Sequence, residues 1–220
     1  MNNQRRMKMR KLLELGGVAA AVVLVAFGSG AIVMSALGMG TINSTLKQQK
    51  IVGTSDMTPS QAAAEASGVG LKPKTLPIPS CSVAGVRVTT GTEARCFAQY
   101  MEVHALIATG GLYYSQLPQY ATSNGKGTNN AAQAAISNGV PVEYPGRSTW
   151  VEQIAISTAL NASYLGSQLA LFGVIVGLAL LLAGLGFGIL AIGGALRNPE
   201  TALPFAGRRH SARPADVTPA

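Results

Sequence analysis

The chain has 220 residues, of which 48% are hydrophobic and only 12% charged, about half the usual charged share. A mean hydropathy of +0.29 with so few charges requires apolar residues gathered in blocks. That excludes a wholly disordered chain, which is charge-rich and hydrophobe-poor. Aromatic residues at 5%, two histidines and two cysteines leave little material for a cofactor site.

Residues 1–11 carry Arg5, Arg6, Lys8, Arg10 and Lys11 and no acid. Residues 15–46 then hold no charge, with a dense apolar centre over 18–37. A bilayer core about 30 Å thick needs about 20 helical residues, so a first span is expected at 12–38. A secretory signal would share the basic start. The apolar run is about twice the usual signal core, though, and no small-x-small cleavage site follows, so an uncleaved anchor is expected. Ile42 and Leu46 continue the helical pattern beyond it.

Thr58-Pro59-Ser60-Gln61 reads as a helix start, with a threonine cap, proline in the first turn and glutamine three residues after the cap. The alanine-rich run after it stops at Gly68, and the prolines and glycines over 68–79 forbid a long regular element. Residues 86–90 alternate weakly and predict one short strand with no evident partner. Thr90-Gly91-Thr92-Glu93 is a capping box, and Gly110-Gly111 supplies the stop. Between them Phe97, Met101, Ala105 and Ala108 repeat at helical spacing, with Tyr100 and His104 beside them. This helix is the expected centre of the domain between the spans.

Residues 116–147 are polar and rich in Asn, Gly and Ala, and read as a mobile loop. Within it Asn130 caps an expected short helix over 131–137, ended by Asn138-Gly139. Thr149-Trp150-Val151-Glu152 reads as a third capping box, opening a helix whose face includes Val151, Ile154, Thr158 and Leu165. No breaker separates it from a second charge-free stretch at 153–196, almost wholly apolar or glycine from 169 on. A second span is expected at 165–196 and a disordered cytoplasmic tail at 197–220.

Charge sets the expected orientation. The five cations before the first span, and Arg197, Arg208, Arg209 and Arg213 after the second, concentrate positive charge at both ends. Basic flanks stay in the cytoplasm, so residues 39–164 are expected outside. The net charge of +8 is mostly this topology signal, and nucleic acid is not an expected partner. Cys81 and Cys96, the only two cysteines, both fall in the outer segment, where an even pair predicts a disulfide. Closing a loop of about 16 residues stabilises by roughly 3 kcal/mol in the chain-entropy model.

The chemistry-bearing residues are few. His104 is the only histidine outside the tail, and a catalytic or metal site built on its own helix fails because Glu102 points away round the helix. A packed or hydrogen-bonded histidine is the expectation, with no metal and no cofactor. Asn43-Ser44-Thr45 and Asn161-Ala162-Ser163 match the glycosylation sequon, too close to the membrane for a glycan. Gly173/Gly177 and Gly184/Gly188 are GxxxG pairs that let helix backbones approach, the partner being the first span or a second copy. No phosphate loop, nucleophile elbow or HExxH motif is present, and neither span carries a deep ionisable group of the kind an ion path needs.

The basic start and first span, then Thr41-Ile42-Asn43-Ser44-Thr45-Leu46-Lys47-Gln48-Gln49-Lys50-Ile51, resemble a family of small two-span actinobacterial membrane proteins. The tract 91–114 with Tyr100, His104 and Gly110-Gly111, the run Leu160-Asn161-Ala162-Ser163-Tyr164-Leu165 and the glycine-rich second span carry the likeness further. The resemblance implies the topology above and no function. Some members bear a ring-opening dioxygenase label, whose iron ligands are not recognisable in this sequence.

The expected fold is therefore mainly α, a two-helix transmembrane hairpin with a small disulfide-tied helical extracytoplasmic domain. The expected role is a non-enzymatic envelope protein whose partners are the lipid bilayer and another membrane or envelope protein or a second copy of itself. An accessory subunit of a transporter or respiratory complex is the alternative. An external hydrolase or redox enzyme has no residue constellation behind it.

Overall fold

In the computed structural model, which describes residues 3–193, the chain is mainly helical. Helix α1 runs over Asn3–Gln49, α2 over Pro59–Gly68, α3 over Gly91–Ala108 and α4 over Pro145–Ile192. Strands β1 (Ile136–Ser137) and β2 (Val140–Pro141) form one antiparallel hairpin. The tail expected at 197–220 lies outside the described residues. Two units result: one from the residues up to Ala31 and from Val176 on, the other over Ile32–Ile175.

Both long helices are long and apolar enough to cross a membrane, and each continues unbroken well past the length a bilayer needs. In the first unit they meet through small residues. A Cβ added at Gly28 would stand 2.7 Å from the Gly177 carbonyl oxygen and 2.9 Å from the Leu181 nitrogen. One added at Gly184 would lie 2.9 Å from Val25 Cγ2 and 3.1 Å from the Ala21 carbonyl oxygen. Within the chain, Gly177 and Gly184 face α1.

The spacing differs from the expected GxxxG pairs. Within this unit Gly177, Gly184 and Ala191 are all buried and recur every seven residues along α4, as do the buried Ala21 and Gly28 along α1. Gly173 and Gly188 are only half-buried, and a Cβ on Gly188 would make ordinary contact, 3.7 Å from Ala21 Cβ. A seven-residue repeat slightly underwinds the 3.6-residue helix and keeps one seam facing its partner. A four-residue pair alone would rotate off the seam.

In the second unit α3 is the hub, as expected. One cluster gathers Met57, Ala62 and Val83 against Cys96, Tyr100 and Val103. A second gathers Leu46, Val88 and Leu160 against Ala94 and Ala98, and a third packs Leu117 and Trp150 on Ala105 and Leu106. The helix is covered on several sides, so its buried set is wider than the expected stripe. Phe97 and Met101 are half-buried, and Ala108 is exposed.

Both expected caps ahead of α2 and α3 form. Thr58 Oγ1 accepts from the Gln61 N–H at 3.2 Å. Thr90 Oγ1 accepts from the Glu93 N–H at 3.3 Å, and Glu93 Oε2 accepts from the Thr90 N–H at 3.0 Å. Cys81 and Cys96 are disulfide-bonded, with Cα atoms 6.2 Å apart.

Five expectations are corrected. The capping box at Thr149 does not open α4, which begins a turn earlier at Pro145. Proline has no N–H to leave unpaired in a first turn, so it starts the helix there, and Thr149 Oγ1 turns back to the Pro145 carbonyl. The inward face of α4 is not Val151, Ile154, Thr158 and Leu165, all exposed, but Trp150, Gln153, Ser157 and Leu160. Its polar members are paired: Gln153 Nε2 donates to Ser157 Oγ at 2.8 Å, and Ser157 Oγ donates to the Ala98 carbonyl at 3.3 Å.

The segment at 86–90 does find a partner. The Val88 N–H bonds the Ile51 carbonyl and the Gly53 N–H bonds the Val86 carbonyl, both at 2.9 Å, in isolated bridges just after α1. Finally, Asn130 caps only a single 3₁₀ turn over Ala131–Gln133, and Asn138-Gly139, at φ of 50° and 80°, turns the β1–β2 hairpin. Two consecutive positive φ angles suit a tight hairpin turn. The stretch expected as a mobile loop is laced by backbone bonds, among them Tyr120 with Thr128 and Ala121 with Val142.

Candidate functional site

The site begins with alanines. On α2, Ala62 and Ala66 have no exposed surface, so this short helix packs tightly into the α3 hub. Glu65, adjacent to Ala66, stands at the margin of that contact. Across from it, His104 follows the fully buried Val103 on α3. Asp56 lies in the turn entering α2, a turn fixed by the Met57 N–H bond to the Thr54 carbonyl at 3.1 Å and the Thr58 N–H bond to the Asp56 carbonyl at 2.8 Å.

These three side chains converge. His104 Nε2 is 2.9 Å from Asp56 Oδ2 and 3.9 Å from Glu65 Oε2, and one donor atom from each lies within 4.8 Å of the others. The imidazole is 25% exposed, Asp56 34% and Glu65 46%, so the group sits at the rim of the core. Nε2 itself is shielded from solvent and has no aligned hydrogen-bond partner, despite the short approach to Asp56.

Asp56 is held below the usual carboxylate range. The side-chain hydrogen bond from Thr54 contributes most, partial burial opposes it, and the residue's own backbone N–H and the neighbouring His104 add to the lowering. Asp56 is therefore ionised at neutral pH. Among the described residues this is the only cluster of three His, Cys, Asp or Glu donors within ligating reach.

Sequence reasoning singled out His104 but expected only a packed or hydrogen-bonded histidine, with no ligands beside it. It sought partners on the same helix, where Glu102 indeed takes no part in the cluster. The carboxylates arrive instead from α2 and its entry turn, through a helix packing that spacing along α3 does not encode. The one available signal was that Glu65 lies beside the alanine stripe of a capped helix.

Elsewhere the unit offers little chemistry. A hollow of about 490 Å³ beside Thr109 and Tyr144 has no charged lining residue, and the Thr109 hydroxyl has the Ala105 and Leu112 carbonyls, 2.8 and 2.7 Å away, as alternative acceptors for its single proton. The polar aromatic contacts are structural. Tyr100 Oη donates to the Cys81 carbonyl at 2.6 Å, bracing the disulfide, and Trp150 Nε1 donates to the Leu112 carbonyl at 3.0 Å. Arg147 stacks 4.1 Å from the Tyr114 ring centroid and bonds its hydroxyl.

Comparison with protein-family models, curated proteins and solved structures finds no match to this chain.

Proposed function

We propose that the chain is a two-span membrane protein with both termini in the cytoplasm, holding the disulfide-tied α2–α3 unit outside as a docking module for another membrane or envelope protein, without catalysis of its own. One observation carries the reading. The most apolar window of each long helix is only 17% buried within the chain, whereas a soluble core helix would be covered. Val22, Phe27, Leu182 and Ile189 are each at least 64% exposed. Such a belt is unfavourable in water and suits lipid, where helices associate through small residues rather than by hydrophobic drive.

The basic flanks favour cytoplasmic ends, and a disulfide fits an oxidising outer compartment. Single cysteines at Ser123 and Ser211, in a background lacking Cys81 and Cys96, test the orientation by impermeant labelling of intact cells. Position 123 is expected to react; labelling at 211 but not 123 overturns it.

An accessory subunit of a larger membrane complex is the second reading. It is favoured by an apolar groove of about 760 Å³ formed by α1 and α4, lined by Ala21, Val25, Gly184 and Gly188 among others, whose small lining residues leave space for side chains of a neighbouring helix. Mild-detergent purification with mass spectrometry of co-purifying proteins separates the two: a stoichiometric transporter or respiratory complex supports the second.

A further inference from the structure

We infer that Asp56, Glu65 and His104 bind one divalent transition-metal ion of the zinc and cobalt class, clamping α2 and its entry turn to α3. The inference is independent of the docking role and of membrane orientation.

The donor set is one imidazole nitrogen and two carboxylate oxygens, a combination that suits zinc and its neighbours. Calcium wants six to eight oxygens and magnesium a near-ideal octahedron, neither of which this trio supplies. In a tetrahedral site with bonds of about 2.0–2.1 Å, neighbouring ligand atoms lie about 3.3 Å apart. The observed 2.9 and 3.9 Å separations from Nε2 bracket that edge, and small side-chain rotations bring both to it.

The hydrogen bonding points the same way. Nε2 carries at most one proton, yet two carboxylates approach it at 2.9 and 3.9 Å, and a single N–H cannot satisfy both anions. A dication satisfies the nitrogen lone pair and both anions together. Three protein ligands leave one position for water or for a group of a bound partner, on the side where Glu65 is half exposed.

The full-length chain, prepared in detergent without a histidine tag and stripped with chelator, is titrated with Co²⁺ alone and then with Zn²⁺. One saturable equivalent of Co²⁺ is expected, with the intense visible bands of a low-coordinate ion, displaced by Zn²⁺ and not by Ca²⁺. His104→Gln and the pair Asp56→Asn with Glu65→Gln should each weaken binding by at least about tenfold, with disulfide and helix content intact, while Glu102→Gln leaves it unchanged.

No saturable Co²⁺ or Zn²⁺ binding by the unaltered chain overturns the inference, as do variants that titrate like it. Should the variants fail to fold, the unaltered chain decides. The weak spectrum of six-coordinate Co²⁺, or displacement by Ca²⁺ in preference to Zn²⁺, also overturns it.

Discussion

Alanine at Gly28 isolates the packing of the two long helices from every other property of the substitution. A helical glycine-to-alanine change normally gains up to about 1 kcal/mol. At Gly30 that gain meets no obstacle, because an added Cβ has nothing within 4 Å. At Gly28 the same methyl group would lie 2.7 Å from the Gly177 carbonyl oxygen and 2.9 Å from the Leu181 nitrogen. Both are backbone atoms of α4 and cannot swing aside, so the helices must separate locally by about half an ångström or more.

Overpacking of this kind costs about 1–3 kcal/mol. Separation also loosens the neighbouring contact of Gly184 with Ala21 and Val25, where dispersion falls steeply with distance. The two variants should therefore differ by about 1–3 kcal/mol, Gly28→Ala being the weaker. Reversible unfolding in mixed micelles, followed by circular dichroism, measures the difference. Equal stability of the two, within about 0.5 kcal/mol, would refute the close approach at Gly28.

Two further outcomes follow from the second unit. Replacing Cys81 and Cys96 by alanine should lower its stability by about 3 kcal/mol, given the 15-residue separation. Non-reducing peptide mapping should find the two joined, and free thiols in protein taken directly from the membrane would count against the bond. Burial opposes ionisation of Glu93, but bonds from the Thr89 N–H and hydroxyl and from the Thr90 N–H outweigh it and hold the carboxyl below the usual range. The folded value lies below the unfolded one, so this contribution is complete above the ordinary glutamate range and is lost as pH falls through the folded value. Glu93→Gln should flatten the acid limb of the stability profile; an unchanged limb would show that the cap does not depend on charge.

The sequence by itself determined the local and one-dimensional features. Charge-free stretches at 15–46 and 153–196, the caps at Thr58 and Thr90, the Gly110-Gly111 stop and the single cysteine pair are set by residues close together in the chain. Caps depend on side chains reaching N–H groups two or three residues away, and span length on a run of apolar residues, so both can be read in order. Tertiary structure alone decided which faces meet. It set Gly177 and Gly184 against α1, and the face of Trp150, Gln153, Ser157 and Leu160 inward in place of the expected one on α4. It paired residues 86–88 with 51–53, and set Asp56 and Glu65 against His104. Each of these depends on groups distant in sequence, and on whether a partner offers lipid, a carbonyl or an alanine-lined approach. Local spacing carries no record of that choice.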